Sequence, residues 1–172
     1  MYIIIFITAF VLVLLWAAVR GRAAQVQDLK SAQDAIAPVD IEAFRNLTDV
    51  QQENFLRREL SRRDFRRVQR ARYRAIAGYL LQVAHNASVM LRLGETARAS
   101  HEPSVQAQGA ELASAAAAVR LYSLLALAQA YLGVLLPGVG VSVGTVADSY
   151  DRLTAKLWAI GRSWTPVRSA VS

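Results

Sequence analysis

The apolar positions of this chain form one unbroken run at its start and helical repeats after it. Residues 3–19 carry no charge, and with Met1 and Tyr2 the uncharged run reaches nineteen residues. A helix of that length covers roughly 30 Å, the thickness of a bilayer's hydrocarbon core. We therefore expect residues 1–22 to form a transmembrane anchor whose residues 3–19 contact membrane lipid. The alternatives are a buried core helix and a cleaved signal peptide, although no basic residue precedes the run as a signal peptide requires.

Two arginines directly after the run, Arg20 and Arg22, predict its orientation. Basic residues beside a span favour the cytoplasmic side. The expected location is therefore the cytoplasmic (inner) membrane, with the N-terminus outside and the bulk of the chain in the cytoplasm. Residues 23–47 are expected to form a helical stalk and linker, in which Pro38 ends the helix because the residue before a proline avoids the α conformation.

The repeats after residue 47 predict a helical bundle over residues 48–161. Thr48 and Gln51 fit a capping box, from which one helix would run to Leu93, with Gly94 as its C′ residue. Its second half carries an apolar stripe typical of a hairpin's core face: Ile76, Leu80, Val83, Ala87, Met90 and Leu91. No run alternates as a strand does. The predicted fold class is all-α, with an N-terminal transmembrane helix and then a small helical hairpin or bundle that contains one very long helix.

A further helix is predicted from about Ser104 to Leu136, after a loop at residues 100–103. A last helix should run from Thr145 to Gly161, with residues 162–172 as a mobile tail. Its predicted apolar face consists of Val146, Tyr150, Leu153, Leu157 and Ile160. Residues 121–136 carry no charge, and a helix that is apolar all round is either buried or in lipid. Three interpretations stay open for this stretch: a buried bundle helix, a segment that dips into or lies on the membrane, and a second span.

The composition argues against several kinds of chemistry. The chain has no cysteine and two histidines, and 54% of its residues are hydrophobic. A disulfide scaffold, a Cys-ligated metal site and a disordered chain are therefore excluded. His85 and His101 have no ligand spacing, and the glycines at residues 138–144 lack the spacing of a dinucleotide loop. We predict no enzymatic activity, no catalytic residue, no metal and no cofactor.

Charge is concentrated in one part of the chain. The net charge is +7, but residues 56–100 alone carry +8, and residues 56–74 contain nine arginines beside two acids. Five of these arginines recur every fourth residue and are expected to form one row on a helix, although like charges at that spacing repel. Glu59 is expected to pair with Arg62 or Arg63, and Asp64 with Arg67, which leaves most of the arginines without an acid. With the two at positions 63 and 67, the candidate residues for an anionic partner are Arg58, Arg62, Arg63, Arg66, Arg67, Arg70 and Arg74.

Four explanations of this basic segment stay open. Anionic lipid headgroups attract basic residues beside a membrane, and an acidic protein surface would do the same. A solvated charged face would need no partner. Nucleic acid is the less favoured partner, because the chain contains no recognised DNA- or RNA-binding motif.

Two short stretches carry a resemblance. Residues 54–58 read Asn-Phe-Leu-Arg-Arg, and residues 91–95 read Leu-Arg-Leu-Gly-Glu. The segment between and including them resembles an uncharacterised family of small, N-terminally anchored, Arg-rich helical bacterial proteins. The resemblance implies an anchored helical fold and no activity.

The sequence thus predicts a membrane-anchored, non-catalytic helical scaffold or a small accessory subunit of a larger membrane complex. The alternative is a module that binds a membrane surface or another anionic ligand through the arginine row.

Overall fold

The computed structural model describes residues 34–135 and 146–155. Within these ranges the chain is helical with no strand, which confirms the all-α class. The helices are α1 (Ile41–Leu47), α2 (Val50–Glu59), α3 (Arg62–Arg98), α4 (Pro103–Leu135) and α5 (residues 146–155). The predicted anchor at residues 1–22, most of the predicted stalk and the predicted tail at residues 162–172 lie outside the described residues.

Helices α2 and α3 are separate, so the predicted single helix from Thr48 to Leu93 is wrong. Leu60 and Ser61 have extended ψ angles of 149° and 154°. The Ser61 hydroxyl caps α3 by accepting from the backbone N–H of Asp64 at 3.2 Å, and it donates to the Asp64 carboxylate at 2.6 Å. This reciprocal cap stabilises a new helix start where the chain would otherwise continue as one rod.

The predicted capping box at Thr48 and Gln51 is also wrong. Asp49 is the N-cap of α2, because its carboxylate accepts from the Gln51 N–H at 2.8 Å. Thr48 instead ends α1, where its hydroxyl donates to the Arg45 carbonyl at 2.9 Å. The carboxylate of Asp49 accepts the free N–H groups of a helix start more strongly than a neutral hydroxyl does.

Helices α3 and α4 form an antiparallel hairpin, and two glycines set their distance. A Cβ at Gly94 would lie 2.6 Å from the backbone nitrogen of Ala113, and one at Gly109 would lie 2.5 Å from that of Arg98. Gly94 is therefore a mid-helix residue that lets two backbones approach closely. The expectation that it ends the helix is wrong, because α3 continues to Arg98.

At the other end of the hairpin, Gly133 lies against the ring of Tyr73. Helix α4 ends two residues later, at Leu135. In an antiparallel pair this end falls opposite a residue about two positions before Tyr73. The first two turns of α3 therefore extend past the last residue of α4.

The core lies between α3 and α4 and is closed by α1 and α5. The predicted stripe is confirmed at five of its six positions, since Leu80, Val83, Ala87 and Met90 are fully buried and Ile76 nearly so. Its sixth member, Leu91, is only partly buried and packs at the edge of the core. Helix α5 adds Val146, Tyr150 and Leu153, each at most 4% exposed, as its predicted apolar face requires. The remaining residues of that predicted face, Leu157 and Ile160, lie outside the described residues.

One buried amide joins three parts of the fold. Asn86 is fully buried, and its side chain accepts from the Ala37 N–H at 3.1 Å and donates to the Ala37 carbonyl at 2.7 Å. It also donates to the Tyr150 hydroxyl at 2.6 Å, and burial raises the pKa of that hydroxyl. Residues 34–47, expected to belong to a stalk and linker, thus pack on the bundle.

A second polar contact ties the same elements together at the surface. The guanidinium of Arg45 lies 3.0 Å from a carboxylate oxygen of Asp148 and 2.7 Å from one of Asp151. The pair of acids belongs to α5, and Arg45 belongs to α1. These contacts link α1 to α5 at the surface, while the fully buried Phe44 of α1 packs on Tyr79 of α3 with 5.5 Å between the ring centroids.

Candidate functional site

Six of the predicted arginines lie on the first half of α3 and line one open depression. We call this set the arginine cluster: Arg62, Arg63, Arg66, Arg67, Arg70 and Arg74. Asp64 is the single acid that lines the same depression. All six arginines are exposed. The helical spacing of this segment therefore concentrates six positive charges within about 18 Å of helix length.

Arg58 does not belong to this cluster. It lies on α2, across the break at Leu60 and Ser61, so the expected row of five arginines on one helix is wrong at its first member. Helix α2 packs on the face of α3 that carries Phe65, Val68 and Arg72. At 100° per residue, that face points nearly opposite to Arg63, Arg67 and Arg70.

The cluster has little internal neutralisation. Among the described residues, no carboxylate lies within 4.0 Å of a guanidinium nitrogen of these six arginines. The ion pairs expected between Glu59 and Arg62 or Arg63, and between Asp64 and Arg67, are not formed. The Asp64 carboxylate instead accepts a hydrogen bond from the Ser61 hydroxyl at the start of α3. Within the described parts of the chain, the positive charge of the cluster is therefore not offset by a paired carboxylate.

The other two arginines of the basic segment make structural contacts. Arg57 lies 3.6 Å from Glu53 and stacks over the Phe65 ring at 5.4 Å from its centroid. Arg72 donates to the backbone carbonyl of Leu47 at 2.8 Å, where it satisfies the end of α1. The candidate residues named from the sequence did not include these two arginines, although no local pattern predicted the contacts that they make.

The aromatic residues between the arginines face inwards. Tyr73 is 4% exposed and packs against Gly133, and burial raises the pKa of its hydroxyl. Phe65 lies in the contact between α2 and α3 under Arg57. Neither ring is presented beside the arginine cluster for stacking on a base, which is how proteins hold single-stranded nucleic acid.

A small cavity of about 240 Å³ separates α2 from α3. Gln69 lines it, is 5% exposed, and donates weakly to Glu53 at 3.3 Å and to the Tyr73 hydroxyl at 3.5 Å. Its Oε1 is sealed from solvent and has no hydrogen-bond donor among the described residues. A ligand in the cavity could not touch this atom in the present packing, so Gln69 marks imperfect packing instead of a binding site.

Helix α4 presents an apolar face to the outside. Leu121, Tyr122 and Leu125 are 47%, 46% and 43% exposed. The stretch Pro103–Val134 is long and apolar enough to cross a membrane by length and composition, and 39% of its most apolar window is buried inside the bundle. A core helix of a soluble protein can meet the same requirement. The first of the three interpretations of residues 121–136, a buried bundle helix, therefore describes only one face of α4. The opposite face is exposed.

Groups that could carry catalysis or hold a metal are sparse in the described parts of the chain. No three His, Cys, Asp or Glu side chains come together there as a metal site would require. His85 is exposed on α3. Asn86, part of a glycosylation-like triplet, is fully buried and holds Ala37.

Comparison with known proteins adds no relative. No family model, no curated protein and no solved structure matches this chain. The resemblance of residues 54–95 to anchored Arg-rich bacterial proteins stays a prediction.

Proposed function

We propose that the protein is a membrane-anchored, non-catalytic helical scaffold or small accessory subunit of a membrane complex. In this proposal residues 3–19 anchor the chain in the cytoplasmic membrane, with the N-terminus outside and the helical bundle inside. The observation that carries it is the exposed apolar face of α4, on a helix that has the length and composition of a span.

The proposed docking face runs along α4 on the side away from α3. Its large members are Leu121, Tyr122 and Leu125, and no charged residue lies between positions 121 and 135. Burying the exposed half of each side chain in an interface would contribute roughly 1 kcal/mol per residue. An apolar helix face without charges is typical of contact with another apolar surface.

The test is purification of the full chain from membranes in mild detergent, with identification of stoichiometric companions. We expect a partner to be recovered with the wild type and lost with the double variant Leu121→Glu, Leu125→Glu. The matched control, Gln106→Glu with Ala107→Glu, changes two exposed positions about 20 Å before Leu121 on the same helix and should retain it. Recovery of this chain alone, or its release from membranes by alkaline carbonate, would refute the proposal.

A second function is supported by a different observation, the arginine cluster. Six exposed arginines with one nearby acid favour a module that binds a membrane surface or another anionic ligand. The test is the protection of the cluster arginines from trypsin in the full chain, reconstituted in nanodiscs with and without anionic lipid over a range of salt. Cleavage that ignores both lipid charge and salt would contradict this function and leave the scaffold proposal unaffected.

A further inference from the structure

A single line of residues runs along α3 from the arginine cluster into the apolar part of the helix. Arg63, Arg67, Arg70 and Arg74 follow each other at steps of four, three and four residues, and Leu81 follows seven residues later. These steps keep all five side chains on one side of an α-helix. Leu81 is 50% exposed although it is a large apolar residue.

Among the described residues, no helix packs over this line of side chains. Helix α2 packs on the opposite side of α3, and α4 ends before the first turns of the cluster. Beside the line, between Arg74 and Leu81, lie Ala75 and Gly78, which are exposed. A Cβ built at Gly78 would meet no atom within 4 Å. The line is thus accessible to a broad, smooth surface.

We propose that this line of α3 lies on the surface of an anionic bilayer. The four guanidinium groups bind lipid phosphates, and Leu81 enters the boundary between headgroups and acyl chains. This inference rests on the second function proposed above and specifies its partner, its residues and its orientation. It also assigns Leu81 a role that charge alone does not indicate.

The combination of charge and apolar exposure favours a bilayer over other anionic partners. Guanidinium groups bind phosphate in a bidentate way, which fits lipid and nucleic acid alike. A nucleic acid, however, offers nothing for Leu81, and Tyr73 and Phe65 are turned away from the cluster. Amphipathic helices that lie on membranes bury an apolar side while basic residues reach the headgroups.

The test uses the full chain, whose lack of cysteine allows single labels. A nitroxide is attached to Leu81→Cys or to the control Ser114→Cys, an exposed position of α4 near the other end of the hairpin. The protein is reconstituted in nanodiscs of phosphatidylcholine alone or mixed with phosphatidylglycerol. Collision rates with oxygen and with a water-soluble nickel chelate then report the depth of each label.

We expect the label at position 81 to gain oxygen collisions and lose nickel collisions only in discs with phosphatidylglycerol. The label at position 114 should stay in water in both. Raising salt from about 0.1 M to 1 M shortens the screening length from about 10 Å to 3 Å and should return position 81 to water.

A matched pair of triple variants, made in the Leu81→Cys background, isolates the cluster. Arg63→Gln, Arg67→Gln and Arg70→Gln should lower the docked-to-undocked ratio roughly 100-fold, since each base near an anionic surface contributes about fivefold. Arg58→Gln, Arg98→Gln and Arg152→Gln remove the same charge elsewhere and should change the ratio less than fivefold. Equal effects of the two triples would overturn the inference.

The failures of the two proposals are distinguishable. A label at position 81 that stays in water, while trypsin protection of the cluster still depends on anionic lipid and salt, overturns this orientation and leaves the second function standing. Cleavage that ignores lipid charge overturns both. A cluster variant that loses binding to an acidic protein or to RNA, with the depth of position 81 unchanged, assigns the arginines to another partner and also overturns the inference.

Discussion

The two halves of α3 share one continuous helical backbone but differ in the burial and charge of their side chains. In residues 75–98, side chains such as Leu80, Val83 and Met90 are fully buried against α4 and α5. In residues 62–74, six exposed arginines line an open depression with one acid. The difference shows that the hairpin core stabilises a helix whose other end carries mutually repelling charges. A surface that costs stability in this way is typical of a functional site.

Replacement of a core leucine should have the largest effect. Leu80 is fully buried, whereas its neighbour Leu81 is 50% exposed. We expect Leu80→Ala to lower the free energy of unfolding by about 2–5 kcal/mol and Leu81→Ala by less than about 1 kcal/mol. Urea denaturation of the full chain in mild detergent, followed by circular dichroism, measures both. Similar losses for the two variants would contradict the assignment of Leu81 to an exposed, lipid-facing line.

Loss of the buried amide should have the next largest effect. Asn86→Ala leaves the N–H and carbonyl of Ala37 and the hydroxyl of Tyr150 without their partner. Each unsatisfied buried group costs about 1–3 kcal/mol, but local opening of residues 34–40 limits the total to roughly 2–3 kcal/mol. Amide exchange at Ala37 should accelerate, while the exposed control Asn54→Ala should change neither quantity. Unchanged exchange at Ala37 would show that Asn86 does not hold this segment.

The two glycines of α3 should respond with opposite signs. Gly94→Ala puts a methyl group 2.6 Å from the backbone of Ala113 and should destabilise the hairpin by about 1–3 kcal/mol. Gly78→Ala meets open space and should stabilise the helix by roughly 0.5–1 kcal/mol, because alanine has the higher helix propensity. The midpoints of urea unfolding compare them directly. A stable Gly94→Ala variant would mean that α3 and α4 are further apart than described.

The smallest effect is expected in the basic half. Arg63→Gln, Arg67→Gln and Arg70→Gln relieve like-charge repulsion and should stabilise the protein by a few tenths of a kcal/mol per pair, roughly, at low salt. The gain should vanish near 1 M salt because the charges are then screened. The control triple at Arg58, Arg98 and Arg152 lacks this clustering and should be neutral. A loss of stability in the cluster triple would indicate that its arginines are structural.

Periodicity alone predicted the paired elements of this fold. The stripe from Ile76 to Met90 defined the core face of α3, and the loop near residue 100 separated it from α4. Both predictions follow from local patterns, because apolar residues that recur at helical spacing lie on one face of a helix and pack into the core. The all-α class was therefore accessible without any knowledge of tertiary contacts.

The helix boundaries failed where two local signals competed. Ser61 and Asp64 have the spacing of a capping box, but the regular arginines around them suggested one continuous helix. A glycine in the position of Gly94 is typical of the residue that follows a helix end. Gly94 instead lies within α3, where the missing side chain lets the backbone of Ala113 approach closely. Contacts between distant residues decide such cases, and a local pattern cannot include them.

The sequence predicted that arginines form the candidate site, but it did not predict correctly which arginines belong to it. The sequence indicated seven arginines, and the break after Glu59 removes Arg58 from the cluster. The role of Asn86 was missed, because its partners Ala37 and Tyr150 lie 49 and 64 residues away in the sequence. The line from Arg63 to Leu81 was also missed, since the exposure of Leu81 depends on where α2 and α4 pack.

The two hydrogen bonds between the Asn86 amide and the backbone N–H and C=O of Ala37 have a mechanical consequence. A pull on Ala37 from its N-terminal side is resisted at Asn86 by two hydrogen bonds to two adjacent peptide groups. The force then acts on α3 beside Val83, Ala87 and Met90, which are fully buried in the core. Asn86 lies about 18 Å along α3 from Arg74, the nearest member of the arginine cluster, so such a pull does not act on the cluster directly.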